Sequence, residues 1–593
     1  MSMLPLPVEA SLPELRAALA EPGAAAVLTA EPGAGKTTVV PLRLLEEPWA
    51  ATTNGNGDGN GNGNDRILVL EPRRVATRAA ARRMAALVDQ QVGETVGYRT
   101  RDDARVGPTT RIEVVTEGML TRRLQHHPSL PGVALVVFDE FHERSLQADL
   151  GLALTLDARR RLRPDLRLLV MSATLDVDKV AALVDGTVVR SEGRSHPVDV
   201  RWLPRTKHDR LDDAMATAIR RALRDEPTGD VLAFLPGAGE IHRVARQLHD
   251  LDDGLDVRPL YGALPAHEQD AALAPPPPTP TQRRVVLATD IAETSLTVEG
   301  VRIVVDSGLA RTPRFDPATG MTRLRTAGIS KASADQRAGR AGRTEPGVAY
   351  RLWSKLEQAA RPPHRQAEIT QVDLAGLVLE VAAWGVTDPA TLTFPDQPPR
   401  RAVDDARRLL TMLGALDGSG DITGAGRAMA DLPLHPRLAH MVAASAPSLD
   451  GPIACAVAAL LEERDVLRDK GNDAPADLAL RVELLTDSGS GTNTREVRTA
   501  RARATDIARR AGVDPSIPLL VERAGDVLAL AYPDRVATNR SRPGSTPGRF
   551  RLANGSDAWL LASDPLATSP TIVVAETDGR KANPRIRLAA RYG

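Results

Sequence analysis

Short apolar runs that alternate with helical stretches dominate the chain from about Ala25 to Trp353. Each run precedes a helical stretch, and the runs read AVLTA, ILVLEP, ALVVFDE, LRLLVMSAT, DVLAFLP, RVVLATD and VRIVVD. Buried strands that alternate with helices are typical of parallel α/β sheets. The pattern therefore predicts one α/β domain before a linker near Ser195 and a second α/β domain after it.

The pattern changes beyond the second α/β domain. Gln366 to Leu467 is largely helical in period, and short strands return from about Ala531. Two interruptions, NGNGDGNGNGN at residues 54–64 and PPPPTP at residues 275–280, are interpreted as a surface loop and a short extended spacer. With 593 residues, the chain is expected to hold about three to five domains.

Composition excludes several classes of protein. The single cysteine, Cys455, leaves no intramolecular disulfide and no Cys-based zinc cluster. No apolar run approaches the roughly 20 residues that span a bilayer, and Met1 to Ala10 lacks the features of a secretion signal, so a cytoplasmic protein is expected. The net charge of zero indicates that any nucleic acid would be bound by a local surface.

The segment AEPGAGKT, residues 30–37, follows an apolar strand and opens a helix, which is the context that a P-loop requires. Backbone N–H groups of such a loop cradle phosphates, Lys36 would bridge the β and γ phosphates, and Thr37 would bind Mg²⁺. The alternative is a glycine-rich turn that contains a lysine by chance. Lysine is rare in this chain, which makes that alternative unattractive.

A second element, Asp139-Glu140-Phe141-His142, comes directly after the apolar run ALVVF. Both acids would emerge at the carboxyl end of a strand, where ligands bind in such sheets. Asp139 would hold Mg²⁺ partly through water, and Glu140 would polarise the water that attacks the γ phosphate. Taken alone, the two acids could merely cap the next helix.

A third element is the arginine-rich tract from Gln336 to Arg343, QRAGRAGR, in the second α/β unit. Arginines three apart on a helical turn share a face and could reach a phosphate across a cleft. The alternative is a solvated basic face. A P-loop in one sheet and arginines in another is the arrangement expected when catalysis requires domain closure.

With these three elements, five further segments resemble superfamily 2 helicases of the DEAH/RHA group, and within it the bacterial HrpB-type proteins. The segments are EPRRVA at 71–76, TEG at 116–118, SAT at 172–174, FLPG at 234–237 and ATDIAETSLT at 288–297. The resemblance covers nearly the whole chain. It implies two tandem RecA-like domains, a winged helix, a helical ratchet bundle and a small OB-like β domain, at residues 1–195, 196–360, 361–430, 431–527 and 528–593.

The resemblance also implies roles in ATP binding and hydrolysis. Phosphates and Mg²⁺ would be held by Gly33, Ala34, Gly35, Lys36, Thr37, Thr38, Asp139 and Glu140. Gln336 would position the attacking water, and Arg340 and Arg343 would act as arginine fingers. The nucleotide state would be sensed by Ser295 and coupled to nucleic acid by Ser172 and Thr174. Glu299 stands where the family has a ribose-binding aspartate, and Leu273 with Arg82 or Arg83 stands where relatives stack adenine, so weak base discrimination is expected.

For nucleic acid, the resemblance implies contacts to the sugar-phosphate backbone of a single strand. The matching residues are Arg73, Arg74, Thr116, Gly118, Gly237 and Thr289. The segment Leu309 to Thr326 resembles the family's duplex-separating hairpin, and a plain surface hairpin is the alternative.

The resemblance thus predicts a monomeric ATP-dependent helicase that moves 3′ to 5′, with RNA the expected substrate and DNA the alternative. An ATPase that remodels RNA–protein complexes without unwinding duplexes, or a nucleic-acid-binding scaffold with an inactive ATP site, stays open from the residues alone.

Overall fold

The computed structural model describes residues 6–31, 33–51, 66–101, 103–173, 177–191, 196–206, 208–249, 255–274, 283–293, 298–316, 321–343, 345–467, 474–487, 494–541, 547–578, 580 and 583–593. The predicted loop at 54–64 and the proline-rich spacer at 275–280 lie outside these residues. Within the described ranges, no helix is both long and apolar enough to cross a bilayer.

The first part of the chain forms an eight-stranded sheet in the order β4-β3-β5-β2-β6-β7-β1-β8, in which only the β3–β4 pair is antiparallel. Its strands are β1 (Ala25–Ala30), β2 (Arg66–Glu71), β3 (Val96–Arg99), β4 (Ala104–Arg105), β5 (Ile112–Thr116), β6 (Val133–Phe138), β7 (Arg167–Ser172) and β8 (Thr187–Ser191). The associated helices are α1 (Leu12–Ala18), α2 (Lys36–Leu44), α3 (Pro48–Ala51), α4 (Arg74–Leu87), α5 (Glu117–His126), α6 (Leu146–Arg161) and α7 (Val177–Val184).

A second sheet has six parallel strands in the order β11-β12-β10-β13-β16-β9. These strands are β9 (Val198–Trp202), β10 (Asp230–Phe234), β11 (Leu255–Leu260), β12 (Arg283–Ala288), β13 (Val301–Asp306) and β16 (Gly347–Arg351). The helices that accompany it are α8 (Leu211–Asp225), α9 (Ala238–His249), α10 (Ala266–Leu273), α11 (Lys331–Gly339) and α12 (Lys355–Ala360). Every apolar run used to predict a strand lies in one of these two sheets, because parallel strands are buried on both faces.

Between β13 and α11 the chain forms an antiparallel hairpin of β14 (Leu309–Asp316) and β15 (Met321–Gly328). The two arms of the predicted hairpin are therefore strands. The Pro-Ala-Thr-Gly turn that joins them falls outside the described residues.

The rest of the chain is helical and then β-rich, as the change of pattern predicted. The helices are α13 (Ala375–Ala383), α14 (Arg400–Met412), α15 (Gly424–Ala430), α16 (Pro436–Ser445), α17 (Gly451–Glu462), α18 (Leu478–Thr486), α19 (Arg495–Ala511) and α20 (Ala524–Ala531). An antiparallel sheet follows in the order β19-β18-β17-β20-β21, formed by β17 (Val536–Asn539), β18 (Arg549–Leu552), β19 (Asp557–Trp559), β20 (Thr571–Thr577) and β21 (Ile586–Arg591). Cys455 is buried in α17.

The chain divides into two compact units. The first comprises Met1–Val372 with Leu392–Pro398, and holds both parallel sheets and the hairpin. The second comprises Asp373–Thr391 with Pro399–Gly593. The five domain limits expected from the sequence are finer than this division and stay predictions.

Candidate nucleotide-binding site

The predicted P-loop joins the end of β1 to the start of α2. Gly33 and Gly35 both have a φ of +93°, a left-handed conformation that glycine adopts without the steric cost of a Cβ. Lys36 is the first residue of α2 and is buried, with its Nζ 3.5 Å from Glu140 Oε2 and 3.5 Å from the carbonyl oxygen of Ala30. The loop therefore opens onto the N-terminus of a helix with a buried cation, which suits a phosphate group.

The predicted magnesium residues lie side by side. Thr37 Oγ1 donates a hydrogen bond of 2.5 Å to Asp139 Oδ2, and the Glu140 N–H donates one of 2.7 Å to Asp139 Oδ1. Burial, followed by the neighbouring Glu140, raises the pKa of Asp139. A cation bound at these oxygens would stabilise the ionised form.

Oxygen ligands fit Mg²⁺, which in nucleotide sites takes few protein ligands and completes its shell with phosphate oxygens and water. The described part of the chain holds no group of three or more His, Cys, Asp or Glu side chains that could bind a metal ion. The hydroxyl of Thr37 and the carboxylate of Asp139 are thus a suitable pair of donors.

Glu140 lies in a strained turn. Its φ of +48° is left-handed, which is uncommon for a residue other than glycine and is frequent at functional sites. Burial opposes ionisation, yet Lys36 and then His142 lower the pKa of Glu140. A carboxylate kept ionised in a buried site can accept a proton from water, as a general base must.

Two arginines that belong with the second sheet lie close to the first, Arg343 beside the P-loop and Arg340 near Glu140. Arg343 Nε lies 3.7 Å from the point that a Cβ on Gly33 would occupy, and Arg340 Nε donates a 2.9 Å hydrogen bond to the carbonyl of Glu293. Burial, followed by the nearby Arg343, lowers the pKa of Arg340, and burial lowers the pKa of Arg343 to about 10. A triphosphate bound beside them would offset the cost of burying these charges.

Gln336 and His142 connect the two sheets. Gln336 Nε2 lies 3.0 Å from His142 Nε2, and His142 Nδ1 lies 3.4 Å from Glu140 Oε2. Burial lowers the pKa of His142, which favours the neutral imidazole. Gln336 therefore reaches the carboxylate of Glu140 through His142, a residue for which the sequence pattern predicted no role.

The remaining arginine of the tract, Arg337, points elsewhere. Its side chain is buried and forms ion pairs with Glu293 at 2.8 Å and Asp306 at 3.0 Å, and its guanidinium stacks over Phe234. The expectation that arginines three apart share one face is therefore wrong for Arg337. The reason is local, because α11 ends at Gly339 and Arg340–Gly342 form a 3-10 turn that rotates the later side chains.

We expect Arg337→Met to lower the free energy of unfolding by about 3–5 kcal/mol, because two buried carboxylates would lose their partner. Urea unfolding measures the change. Arg221→Met removes a half-exposed ion pair with Asp225 in the same sheet's flanking helix and serves as the control, with an expected change of about 0–1 kcal/mol. Unchanged stability together with lost ATP turnover would instead make Arg337 a third finger.

The residues predicted to bind a nucleic acid backbone lie at the carboxyl ends of strands in both sheets. In the first sheet, Arg73 and Arg74 follow β2, Thr116 ends β5, and Gly118 lies in α5. In the second, Gly237 follows β10 and Thr289 follows β12, and the guanidinium of Arg311 on β14 covers Gly237. Because β2 neighbours β5, and β10 neighbours β12, each set lies on adjacent strands.

Arg73 joins the two sets. Its Nη2 lies 3.2 Å from Glu143 Oε2 and 3.2 Å from Asp290 Oδ2, so it bridges the loop after β6 to the loop after β12. Two cavities, of about 190 Å³ and about 350 Å³, lie beside this contact. Side chains that line both cavities include Arg73, Glu143, Glu293, Ser333 and Arg365.

The predicted adenine residues lie on facing helices. Arg82 on α4 forms a 3.1 Å ion pair with Asp270 on α10, and Leu273 ends α10 and packs partly buried on the core of the second sheet. Arg83 is exposed. Glu299, the expected ribose residue, has an exposed side chain, and its carbonyl accepts a hydrogen bond from Arg284. These four assignments stay predictions.

Three residues were predicted to sense the nucleotide state or to couple it to nucleic acid. Ser172 is buried at the end of β7, next to the P-loop strand β1. Thr174 and Ser295 lie outside the described residues.

The N-terminal segment also supports the P-loop, which the motifs did not indicate. The Val8 N–H donates a 3.1 Å hydrogen bond to the carbonyl of Ala34. A Cβ on Gly35 would stand 2.8 Å from Leu6 Cδ1, so this glycine is also required by close packing. Leu6 and Val8 belong to no recognisable sequence motif, so the sequence alone did not indicate this contact.

Glu117, in the predicted nucleic-acid segment 116–118, is a buried acid. It accepts a short hydrogen bond from the Ser145 hydroxyl, and burial raises its pKa to about 8. The folded state therefore retains a proton that the unfolded state, with an ordinary pKa of 4.5, releases.

This proton predicts a pH dependence. Because the folded-state pKa is the higher one, the stabilising contribution is full below about pH 4.5 and is lost as the pH rises towards about 8. Between about pH 5 and about pH 8, we expect wild type to lose on the order of 2 kcal/mol more unfolding free energy than Glu117→Gln. Urea titrations at both pH values measure this difference, and parallel pH profiles would contradict it.

A P-loop and a paired-carboxylate turn in one parallel sheet, met by arginines of a second parallel sheet, define a two-domain P-loop NTPase of the helicase class. Family models agree with this class. DEAD/DEAH box helicase matches residues 14–183, helicase conserved C-terminal domain matches 214–345, and the winged-helix helicase-associated domain matches 406–434.

Similar proteins make the identification specific. The "ATP-dependent RNA helicase HrpB" of Escherichia coli strain K12 is 44% identical over an aligned length of 593, and the alignment covers 99% of this chain and 68% of that protein. The crystal structure titled E. coli DExH-box NTPase HrpB is 44% identical with a TM-score of 0.82, and the match covers 100% of this chain and 69% of that chain. The crystal structure titled Escherichia coli DEAH/RHA helicase HrpB is 43% identical with a TM-score of 0.86, and the match covers 99% of this chain and 70% of that chain. The chain belongs to the HrpB family of DEAH/RHA-type helicases, as its motifs predicted.

Proposed function

We propose that this chain hydrolyses ATP to move 3′ to 5′ along single-stranded RNA as a monomer, and that it separates duplexes ahead of it. The E. coli relative is named an ATP-dependent RNA helicase, which supports RNA as the substrate. One observation carries the proposal: Arg343 lies close to Gly33 of the P-loop and Arg340 lies near Glu140, so an ATP site is complete only when both sheets contribute.

In this proposal each side chain has a defined task. The P-loop N–H groups and Lys36 bind the phosphates, and Glu140 takes a proton from the attacking water. His142 and Gln336 orient Glu140 and that water. Arg340 and Arg343 stabilise the charge that develops on the transferred phosphoryl group. Mg²⁺ held by Thr37 and Asp139 would neutralise phosphate charge.

Movement along RNA would follow from the positions of the RNA-binding residues in the two sheets. The residues proposed to hold the RNA backbone follow β2 and β5 in the first sheet and β10 and β12 in the second. Closure around ATP would shift one set relative to the other, and hydrolysis would release the arginines and reopen the site. Backbone contacts of this kind would fix register without reading sequence.

The experiment measures ATP turnover with single-stranded RNA, with single-stranded DNA and without polynucleotide, together with unwinding of 3′-tailed and 5′-tailed duplexes. The proposal expects turnover to rise with RNA and expects only 3′-tailed duplexes to separate. RNA-stimulated turnover without strand separation would favour a remodelling ATPase. Absence of ATP turnover under every condition would favour a binding scaffold.

A further inference from the structure

The linking segment, defined here as Arg361–Val372, follows α12 and contacts three elements of the first compact unit. Its Pro362 and Pro363 carbonyls accept hydrogen bonds of 2.9 and 3.1 Å from the first two N–H groups of α11, those of Lys331 and Ala332. Its Gln371 carbonyl accepts a 2.7 Å hydrogen bond from the N–H of Phe315 on β14. The linking segment is thus hydrogen-bonded both to the start of α11 and to one arm of the hairpin.

Glu368 of the same segment reaches the first sheet. Its Oε2 accepts a 2.8 Å hydrogen bond from the N–H of Leu146, the first residue of α6, and its own N–H donates a 3.0 Å hydrogen bond to the carbonyl of Arg144. The first N–H groups of a helix have no partner within the helix, and its positive end favours a carboxylate. The Ser145 hydroxyl accepts from the Ala148 N–H, so Glu368 satisfies a different donor of the same turn.

The loop that Glu368 holds carries Glu140 at its start. Glu140 and Arg144 both have left-handed φ values, of +48° and +51°, so the loop between β6 and α6 is strained at two points. The Arg144 guanidinium is bound by Asp149 at 2.9 Å and by Asp396 at 2.7 Å. Strained residues persist only where surrounding contacts maintain them, and Glu368 supplies two of these contacts.

We infer that Glu368 is a positioning residue that couples the hairpin to the ATP site by setting the loop that carries Glu140. This inference rests on the proposed function, because it takes the hairpin to be the duplex-separating element that the family resemblance implies. Glu368–Thr370 form a single 3-10 turn, and Gln371 follows it directly. Displacement of β14 by a bound strand therefore moves Gln371, the turn and the Glu368 carboxylate together.

A helix-capping role alone predicts a different result. Loss of a cap lowers stability by a similar amount with or without RNA. Coupling instead changes the response to RNA, because coupling free energies between sites typically correspond to changes of about 5- to 150-fold.

The experiment compares ATP turnover at saturating RNA with turnover without RNA in wild type and four variants. We expect Glu368→Ala to lower the stimulated-to-basal ratio by about fivefold or more. Glu368→Asp should have a similar effect, since its shorter side chain cannot reach the Leu146 N–H. Glu368→Gln should restore most of the ratio, because its amide oxygen still accepts that bond. Glu357→Ala, which breaks the capping box of α12 at Ser354, should keep the wild-type ratio.

The outcomes separate the inference from the proposed function. A wild type that responds to RNA, with Glu368→Ala and Glu368→Asp responding equally well, overturns the inference alone. An equal loss of stimulation in Glu357→Ala also overturns it, because any lost cap would then suffice. Wild-type turnover that does not respond to RNA overturns the proposed function and the inference with it.

Discussion

Arg340→Ala is expected to lower ATP turnover at saturating ATP and RNA by about a thousandfold or more, while the chain keeps its fold. The reason is positional. Arg340 is buried near Glu140, next to the partly buried Arg343, and burial of its charge lowers its pKa, a cost that a bound triphosphate would offset. Single-turnover hydrolysis and urea unfolding together separate a loss of catalysis from a loss of structure.

Two other variants sharpen this test. Arg340→Lys keeps a charge without the planar fork of donors, so its activity should lie between those of wild type and Arg340→Ala. Arg302→Ala removes a partly exposed arginine of β13 that donates a hydrogen bond to the Pro346 carbonyl, and should leave turnover unchanged. Normal RNA-stimulated turnover in Arg340→Ala would show that the assignment of this residue as a finger is wrong.

Glu140→Gln is expected to lower the rate of hydrolysis by about 10²- to 10⁴-fold with little effect on nucleotide binding. Lys36 lowers the pKa of this buried carboxylate and so favours its ionised form, and glutamine has the same shape without the ability to take a proton. Rapid-quench measurement of the chemical step tests this expectation, and a fluorescent ADP analogue reports binding.

The matched control is Glu46→Gln. Glu46 follows α2, and its half-exposed carboxylate forms ion pairs with Arg16 and Arg43. This variant should hydrolyse ATP at the wild-type rate. If Glu140→Gln also hydrolysed ATP at that rate, another group would have to accept the proton, and His142, 3.4 Å from Glu140, is the nearest candidate.

Much of the fold was predictable because its strands are local and strongly patterned. Each apolar run of the first 353 residues became a parallel strand, since strands buried on both faces need no polar alternation. The P-loop was predictable for a related reason. Its glycines set the backbone geometry, and Lys36 and Thr37 supply the side chains, all within eight consecutive residues.

The orientation of side chains was not predictable in the same way. The tract QRAGRAGR contains three arginines at equal spacing, yet Arg337 is paired with two buried carboxylates, while Arg340 lies near Glu140 and Arg343 lies beside the P-loop. The difference depends on where α11 gives way to a 3-10 turn. It also depends on Glu293 and Asp306, which lie far enough away in the chain to leave no periodic signal.

The sequence by itself determined the class of protein to which this chain belongs: two parallel sheets, a phosphate-binding loop and paired acids with the first sheet, and arginines with the second. Only the tertiary structure decided which of those groups meet. Arg73 pairs with carboxylates that are 70 and 217 residues away in the sequence. Gln336 contacts His142 at a separation of 194 residues, and Glu368 caps a helix that begins 222 residues before it. Local patterns report conformational preference, whereas such contacts arise from how the sheets pack, which no short segment encodes.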